Sequence, residues 1–192
     1  MNDKNLLHLL RYLPIFLVLA LQLWFPGLAY AQEVTMVSVS LPDEPIVSGQ
    51  EFTVDILVEP GVPIAGVQFD LGFDPSVVTI DKVEEGDLLK QSGASTYFNP
   101  GEIDNATGNI IGVAGAITTP GDTVSSSGTF ATLVVTTGKK AGSCTLNLSK
   151  VIVGDKEGKP VPIDVRSSNV NIIEEPGSPV TPAPALTPAR PS

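Results

Sequence analysis

From about residue 33 to residue 173 the chain alternates apolar and polar positions with a period of two, and Gly, Pro, Asn and Asp clusters interrupt it. The clearest stretch is 66–80, GVQFDLGFDPSVVTI. Val67, Phe69, Leu71 and Phe73 fall on one face of an extended strand, and Gly66, Gln68, Asp70 and Gly72 on the other. Asp74-Pro75-Ser76 then turns the chain, since Pro fixes φ and Asp bonds the turn backbone. Phe52, Val54, Ile56 and Val58 alternate in the same way with Thr53, Asp55, Leu57 and Glu59. In 131–136 both faces are apolar or β-branched, the composition of a central strand.

Strands are predicted at Thr35–Leu41, Glu51–Glu59, Ile64–Phe73, Val77–Val83, Ser95–Asn99, Asn109–Ile117, Gly128–Thr137, Ser143–Val153 and Pro162–Ile172. Pro60-Gly61, Asn99-Pro100-Gly101, Thr107-Gly108, Pro120-Gly121 and 138–142 punctuate them. Residues 84–92 hold at most a single helical turn, and no long amphipathic helix is predicted. The fold class is therefore all-β: a two-sheet β-sandwich with jelly-roll topology and about nine strands.

The ends differ from this middle. Lys4 and Arg11 precede an apolar run over 12–25, and Ala29-Tyr30-Ala31 has the small-x-small form of a cleavage site, so residues 1–31 are expected to be a signal peptide. Residues 32–173 form the predicted domain. Residues 174–192, rich in Pro and Thr, are expected to be a solvated spacer. The expected location is extracellular or at the cell surface, with membrane attachment only if the leader is uncleaved.

Composition then removes chemistry. The formal net charge is −10, and no basic patch points to nucleic acid. The only His is His8 and the only Trp is Trp24, both in the leader. A mature chain without His has no Ser-His-Asp or Cys-His site and no His-ligated metal. Cys144 has no partner for a disulfide and reads as a small core residue. Carboxylate pairs could be drawn from Glu84, Glu85 and Asp87, or from Asp70 and Asp74, but they read as solvated turns and not as a glycosidase pair. The 154–158 loop, GDKEG, carries only the first ligands of a calcium loop and reads as a plain hairpin. No enzyme, intrinsic cofactor or metal is expected. Asn105-Ala106-Thr107 and Asn147-Leu148-Ser149 match the N-glycosylation pattern. Of the mature aromatics only Tyr97 and Phe98 are free of predicted core faces, and adjacent strand residues point to opposite sides.

The order and spacing of GVQFDLGFDPSVVTI (66–80), VEEGDLL (83–89), IDNATGNIIGVAGA (103–116), GTFATLVV (128–135) and LNLSKVIVGDKEGKPVPIDV (146–165) resemble the cohesin family over 34–173. Cohesins are secreted, non-catalytic jelly-roll modules that bind dockerins. The resemblance implies a partner face on the sheet built from 64–73, 95–105, 109–117 and 143–153. It carries contact positions onto Gly66 and Gln68, Asn105, Gly112, Ala114 and Gly115, and Gly158 and Lys159. Type I cohesins carry Asn and Asp where Gly66 and Gln68 stand, so the chain resembles a divergent or noncellulosomal cohesin more than a type I scaffoldin module. Asp70 and Gly72 join the set as outward positions of the same strand. The expected function is recognition of a dockerin-like partner whose own loops carry calcium, in an extracellular polysaccharide-degrading or cell-surface assembly. The alternative is a β-sandwich carbohydrate-binding module with polysaccharide as ligand. A purely structural surface module is a third reading.

Overall fold

The structure of the protein, a computed structural model, describes residues 33–91 and 93–174. The leader expected at 1–31, and all but the first residue of the spacer expected at 174–192, lie outside the described residues.

The described chain is all β apart from one 3-10 turn at Leu88–Lys90. Its strands are β1 (Thr35–Ser40), β2 (Ile46–Val47), β3 (Glu51–Glu59), β4 (Gly66–Gly72), β5 (Val78–Glu85) and β6 (Thr96–Asn99). They continue with β7 (Glu102–Asp104), β8 (Asn109–Ile117), β9 (Gly128–Thr137), β10 (Gly142–Gly154), β11 (Ile163–Arg166) and β12 (Ser168–Ile173). One sheet has the order β11-β1-β3-β9-β5. The other has the order β2-β12-β10-β4-β8-β6, with β7 also paired to β8. The two-sheet sandwich expected from the alternation is present, with twelve strands in place of about nine.

The extra strands have simple causes. β2 and β7 are too short to carry a periodic pattern. The run expected as one strand at 162–172 is two, because the chain changes sheets at Ser167. β11 pairs in parallel with β1, while β12 pairs antiparallel with β10. Ser167 marks the crossing: its hydroxyl donates to Asn147 Oδ1 at 3.0 Å and accepts the Leu148 N–H at 3.2 Å.

The alternating residues meet between the sheets. Val54, Ile56 and Val58 of β3 face Val67, Phe69 and Leu71 of β4 across one continuous core. Phe130 of β9 lies at its centre, edge-on to Phe69 (centroids 6.0 Å apart) and to Phe98 of β6 (5.8 Å). Cys144 is buried, and its Sγ accepts the Asp74 N–H at 3.1 Å. The buried Thr137 donates its hydroxyl to the Val47 carbonyl at 2.8 Å, tying β9 to the short β2. No buried side-chain polar atom among the described residues lacks a partner, as a dry interior requires.

Candidate functional site

The outer face of the seven-stranded sheet is unlike the other surfaces. Register lays it out in rows across β6/β7, β8, β4 and β10. One row reads Tyr97, Ala116, Gly66, Gly154, and the next Asn99, Ala114, Gln68, Ile152. Beyond them stand Glu102 and Ile111, beside Asp70 and Ser149, and then Asp104, Asn109, Gly72 and Asn147. Ala114, Ala116 and Gly66 make a low floor two strands wide, about 10 Å at the usual strand spacing, and the exposed Gln68 stands at its fourth position, between Ala114 and Ile152. Tyr97 stands on one side of it and Ile152 on the other. Ile111 stands at its end. These three are large apolar side chains left at 60%, 55% (Ile111) and 49% (Ile152) exposure on a single face. Apolar groups gathered on one face mark an interaction surface more than scattered ones do.

Two β-bulges flank the middle strand of this face. β8 gains a residue against β4 between Phe69 and Leu71, and β10 gains one between Ser149 and Ile152. The extra residues are left-handed: Gly112 has φ 75° and Lys150 φ 48°. For Lys150, which has a Cβ, that conformation costs about 1–2 kcal/mol. Each bulge shifts the in-out parity of its strand. Ile110 and Val113 therefore both reach the core while Ile111 points out, and Leu148 and Val153 both reach the core while Ile152 points out.

Asp70 lies between the two bulges. It is 8% exposed, accepts the Gly112 N–H on Oδ1 at 2.7 Å, and pairs through Oδ2 with Lys150 Nζ at 2.8 Å. The Lys150 hydrogen bond, reinforced by the Gly112 N–H and partly opposed by burial, holds its carboxyl below the ordinary range.

The predicted contact residues separate into groups. Gly66, Gln68, Gly72, Gly112 and Ala114 all lie on the outer face, and Gln68 is exposed. A Cβ on Gly112 would meet nothing within 4 Å. Gly158 and Lys159 lie in the loop after β10, beside Gly154 and so at one end of the floor. Three expectations need correction. Gly115 points inward: a Cβ there would sit 2.8 Å from the Phe130 ring, so the residue makes room for the core. Asp70 points outward but is covered and fully paired, so it is not free to meet a partner. Asn105 stands at the sandwich edge, where its amide donates to the Ile80 carbonyl and accepts the Ile80 N–H, both at 2.9 Å. That pair joins the β7–β8 turn to β5 of the other sheet.

Ile111, Ile152 and Lys150 were absent from the predicted set. The signal for them is a break in alternation. Ile110-Ile111 followed by Gly112 is an apolar doublet before a left-handed glycine. In 146–153 the buried parity passes from Leu146 and Leu148 to Val153. Asp155, weighed as a calcium ligand, instead accepts the backbone N–H groups of Glu157 (2.9 Å) and Lys159 (2.8 Å). Among the described residues no three His, Cys, Asp or Glu side chains are grouped to hold a metal.

The model of the cohesin domain matches residues 37–172, the whole sandwich but for its outermost residues. The chain belongs to the cohesin domain family. Cohesin domains are non-catalytic binding modules. No curated protein matches this cohesin. Solved structures share its fold at low identity. A non-cellulosomal cohesin from the hyperthermophilic archaeon Archaeoglobus fulgidus is 14% identical, with TM-score 0.55 over 73% of this chain and 91% of that one. The Coh-OlpC–Doc435 complex from Clostridium thermocellum, a type I cohesin–dockerin complex, gives 16% identity and TM-score 0.59 over 75% and 96%. The Coh-OlpA–Doc918 complex from Clostridium thermocellum, also type I, gives 16% and 0.60 over 73% and 99%.

Proposed function

We propose that the outer face of the seven-stranded sheet docks a small helical module of the dockerin type, which brings its own calcium. The observation that carries this reading is the low Ala114–Ala116–Gly66 floor between Tyr97 and Ile152. Its width of about 10 Å is close to the 10–12 Å diameter of an α-helix with side chains. A helix laid there would approach the backbone closely, cover the three apolar groups, and find Gln68 as a hydrogen-bonding partner; the Asn99 amide is already tied to the Gly112 carbonyl and the Gly101 N–H. An apolar centre with a polar rim is the usual anatomy of such an interface. The dockerin complexes among the structural neighbours support the choice of partner. We place the module outside the cell, exported by its leader and held out by its Pro-rich spacer. Its role there is to join a dockerin-bearing protein to an extracellular polysaccharide-degrading or cell-surface assembly.

Glycan binding is the weaker reading. Tyr97 is the one exposed aromatic among the described residues, and its neighbour Phe98 packs on Phe130. A stacking platform therefore lacks a second ring.

The test mixes the purified chain with the dockerin modules of the two Clostridium thermocellum complexes, in calcium and in chelator. Calcium-dependent binding weakened by tenfold or more, on the order expected for an interface centre, by both Gln68→Arg and Ala114→Glu supports the face. Binding unchanged by both places the site elsewhere.

A further inference from the structure

We infer that Asp70 is the positioning residue of the docking face: one buried carboxylate holds both bulges and so aims Ile111 and Ile152 outward. The inference rests on the docking reading for its functional meaning, though its structural half stands without it.

Three observations converge on this carboxylate. The two register shifts lie on opposite sides of β4 and one residue apart, that of β8 opposite Asp70 and that of β10 between the partners of Gln68 and Asp70. Each bulge contributes one donor to it, Gly112 N–H at 2.7 Å and Lys150 Nζ at 2.8 Å. Both donors belong to the left-handed residues that make the bulges. Gly112 adopts that backbone freely. Lys150 adopts it at a cost, offset by the burial of Leu148 and Val153 on either side of the bulge and by the ion pair that its largely exposed side chain makes with Asp70. The consequence for the surface is one of parity. If either bulge relaxed by sliding one residue, an isoleucine on that strand would turn from the face toward the core and a core side chain would turn out. Asp70 itself is covered, so it acts on a partner only through the residues it places.

The two oxygens have different duties, which makes the inference separable by mutation. Asp70→Asn keeps an acceptor for the Gly112 N–H but sets an amide N–H₂ against Lys150. Lys150→Met removes the cation and keeps the stem. Both should release the β10 bulge and leave the β8 bulge alone. Asp70→Val removes both holds of the carboxylate and leaves on the β8 bulge the Asn99 amide, which donates to the Gly112 carbonyl at 3.1 Å.

The experiment records amide and Ile methyl NMR spectra of the full chain and the three variants, with binding to the two Clostridium thermocellum dockerin modules measured in parallel. The wild-type Gly112 amide proton is expected far downfield, as a donor to a carboxylate. It should stay downfield in Lys150→Met, return part of the way in Asp70→Asn, where a neutral amide oxygen replaces the carboxylate, and lose the shift in Asp70→Val. The Ile152 methyl signals should move in all three variants, and those of Ile111 only in Asp70→Val. Affinity should fall about tenfold or more in Asp70→Val and less in the other two. Should Asp70→Val fail to fold, the split between Ile152 and Ile111 in the other two variants still decides the question. Ile152 unmoved in both Asp70→Asn and Lys150→Met would overturn the inference, as would full affinity in a folded Asp70→Val. A wild-type chain that binds neither dockerin would count against the docking reading alone, and the spectra would still decide the role of Asp70.

Discussion

Gly112 and Gly115 lie on one strand and are glycine for opposite reasons. Gly112 has open space above it but a left-handed backbone, φ 75°. Gly115 has an ordinary backbone but no room, with the Phe130 ring 2.8 Å and Leu89 3.3 Å from where a Cβ would be. Gly112→Ala should therefore cost about 1–2 kcal/mol through backbone strain. Gly115→Ala should cost about 1–3 kcal/mol through overpacking. Urea denaturation measures both, and only the second should perturb the ring signals of Phe130. The carboxylates make a second prediction at this scale. Asp70 is held below the ordinary 3.8 by Lys150 and the Gly112 N–H. Asp74 is held below it by the Ser76 hydroxyl and N–H, and Asp104 by the Thr107 hydroxyl and the N–H groups of Thr107 and Ala106. A carboxyl with a depressed folded-state value stabilises the fold at pH above its unfolded value. That contribution disappears as pH falls through the folded value. The Tm should thus hold steady from neutrality to about pH 5 and drop below about pH 4. Asp70→Asn should make the acid drop shallower, and equal slopes in the two proteins would contradict the assignment.

Among the elements, the β7–β8 turn joins the two sheets through Asn105 and not through apolar packing. Asn105→Ala leaves the N–H and C=O of Ile80 without their partner, a loss of about 1–3 kcal/mol to the extent that water does not replace it. It should leave dockerin affinity unchanged, since the amide lies at the sandwich edge. Reduced affinity at full stability would return Asn105 to the contact surface. β3, β4, β8 and β9 were legible because one face of each is buried and a period of two follows from that. The division of 162–172 into β11 and β12 was not, because Arg166-Ser167-Ser168 contains no breaker and the change of sheet is set by pairing with β1 and β10. Gln68, Ala114 and the glycines of the face were legible from alternation and family resemblance. Asp70 was legible as an outward residue, but its pairing depends on Lys150, which lies far along the chain. The inward turn of Gly115 follows from the bulge at Gly112, which shifts the parity of every residue after it.

At the scale of the whole molecule the two outer faces contrast. On the five-stranded sheet, hydroxyls and carboxylates satisfy one another: Thr132 donates to Asp55 and Thr136 to Asp81, each at 2.6 Å. On the seven-stranded sheet a bare floor lies among Tyr97, Ile111 and Ile152, and its charged centre is neutralised by the Asp70–Lys150 pair. A cohesin with one self-satisfied face and one unfinished face should bind through the second. The most direct measurement is a titration of the isotope-labelled chain with the two Clostridium thermocellum dockerin modules in calcium, followed by amide shift mapping. The largest changes should fall on Gln68, Tyr97, Ile111, Ala114 and Ile152, and chelator should reverse them. Changes centred on Thr53, Thr132 and Val134, with Gln68 and Ala114 unmoved, would contradict the docking reading.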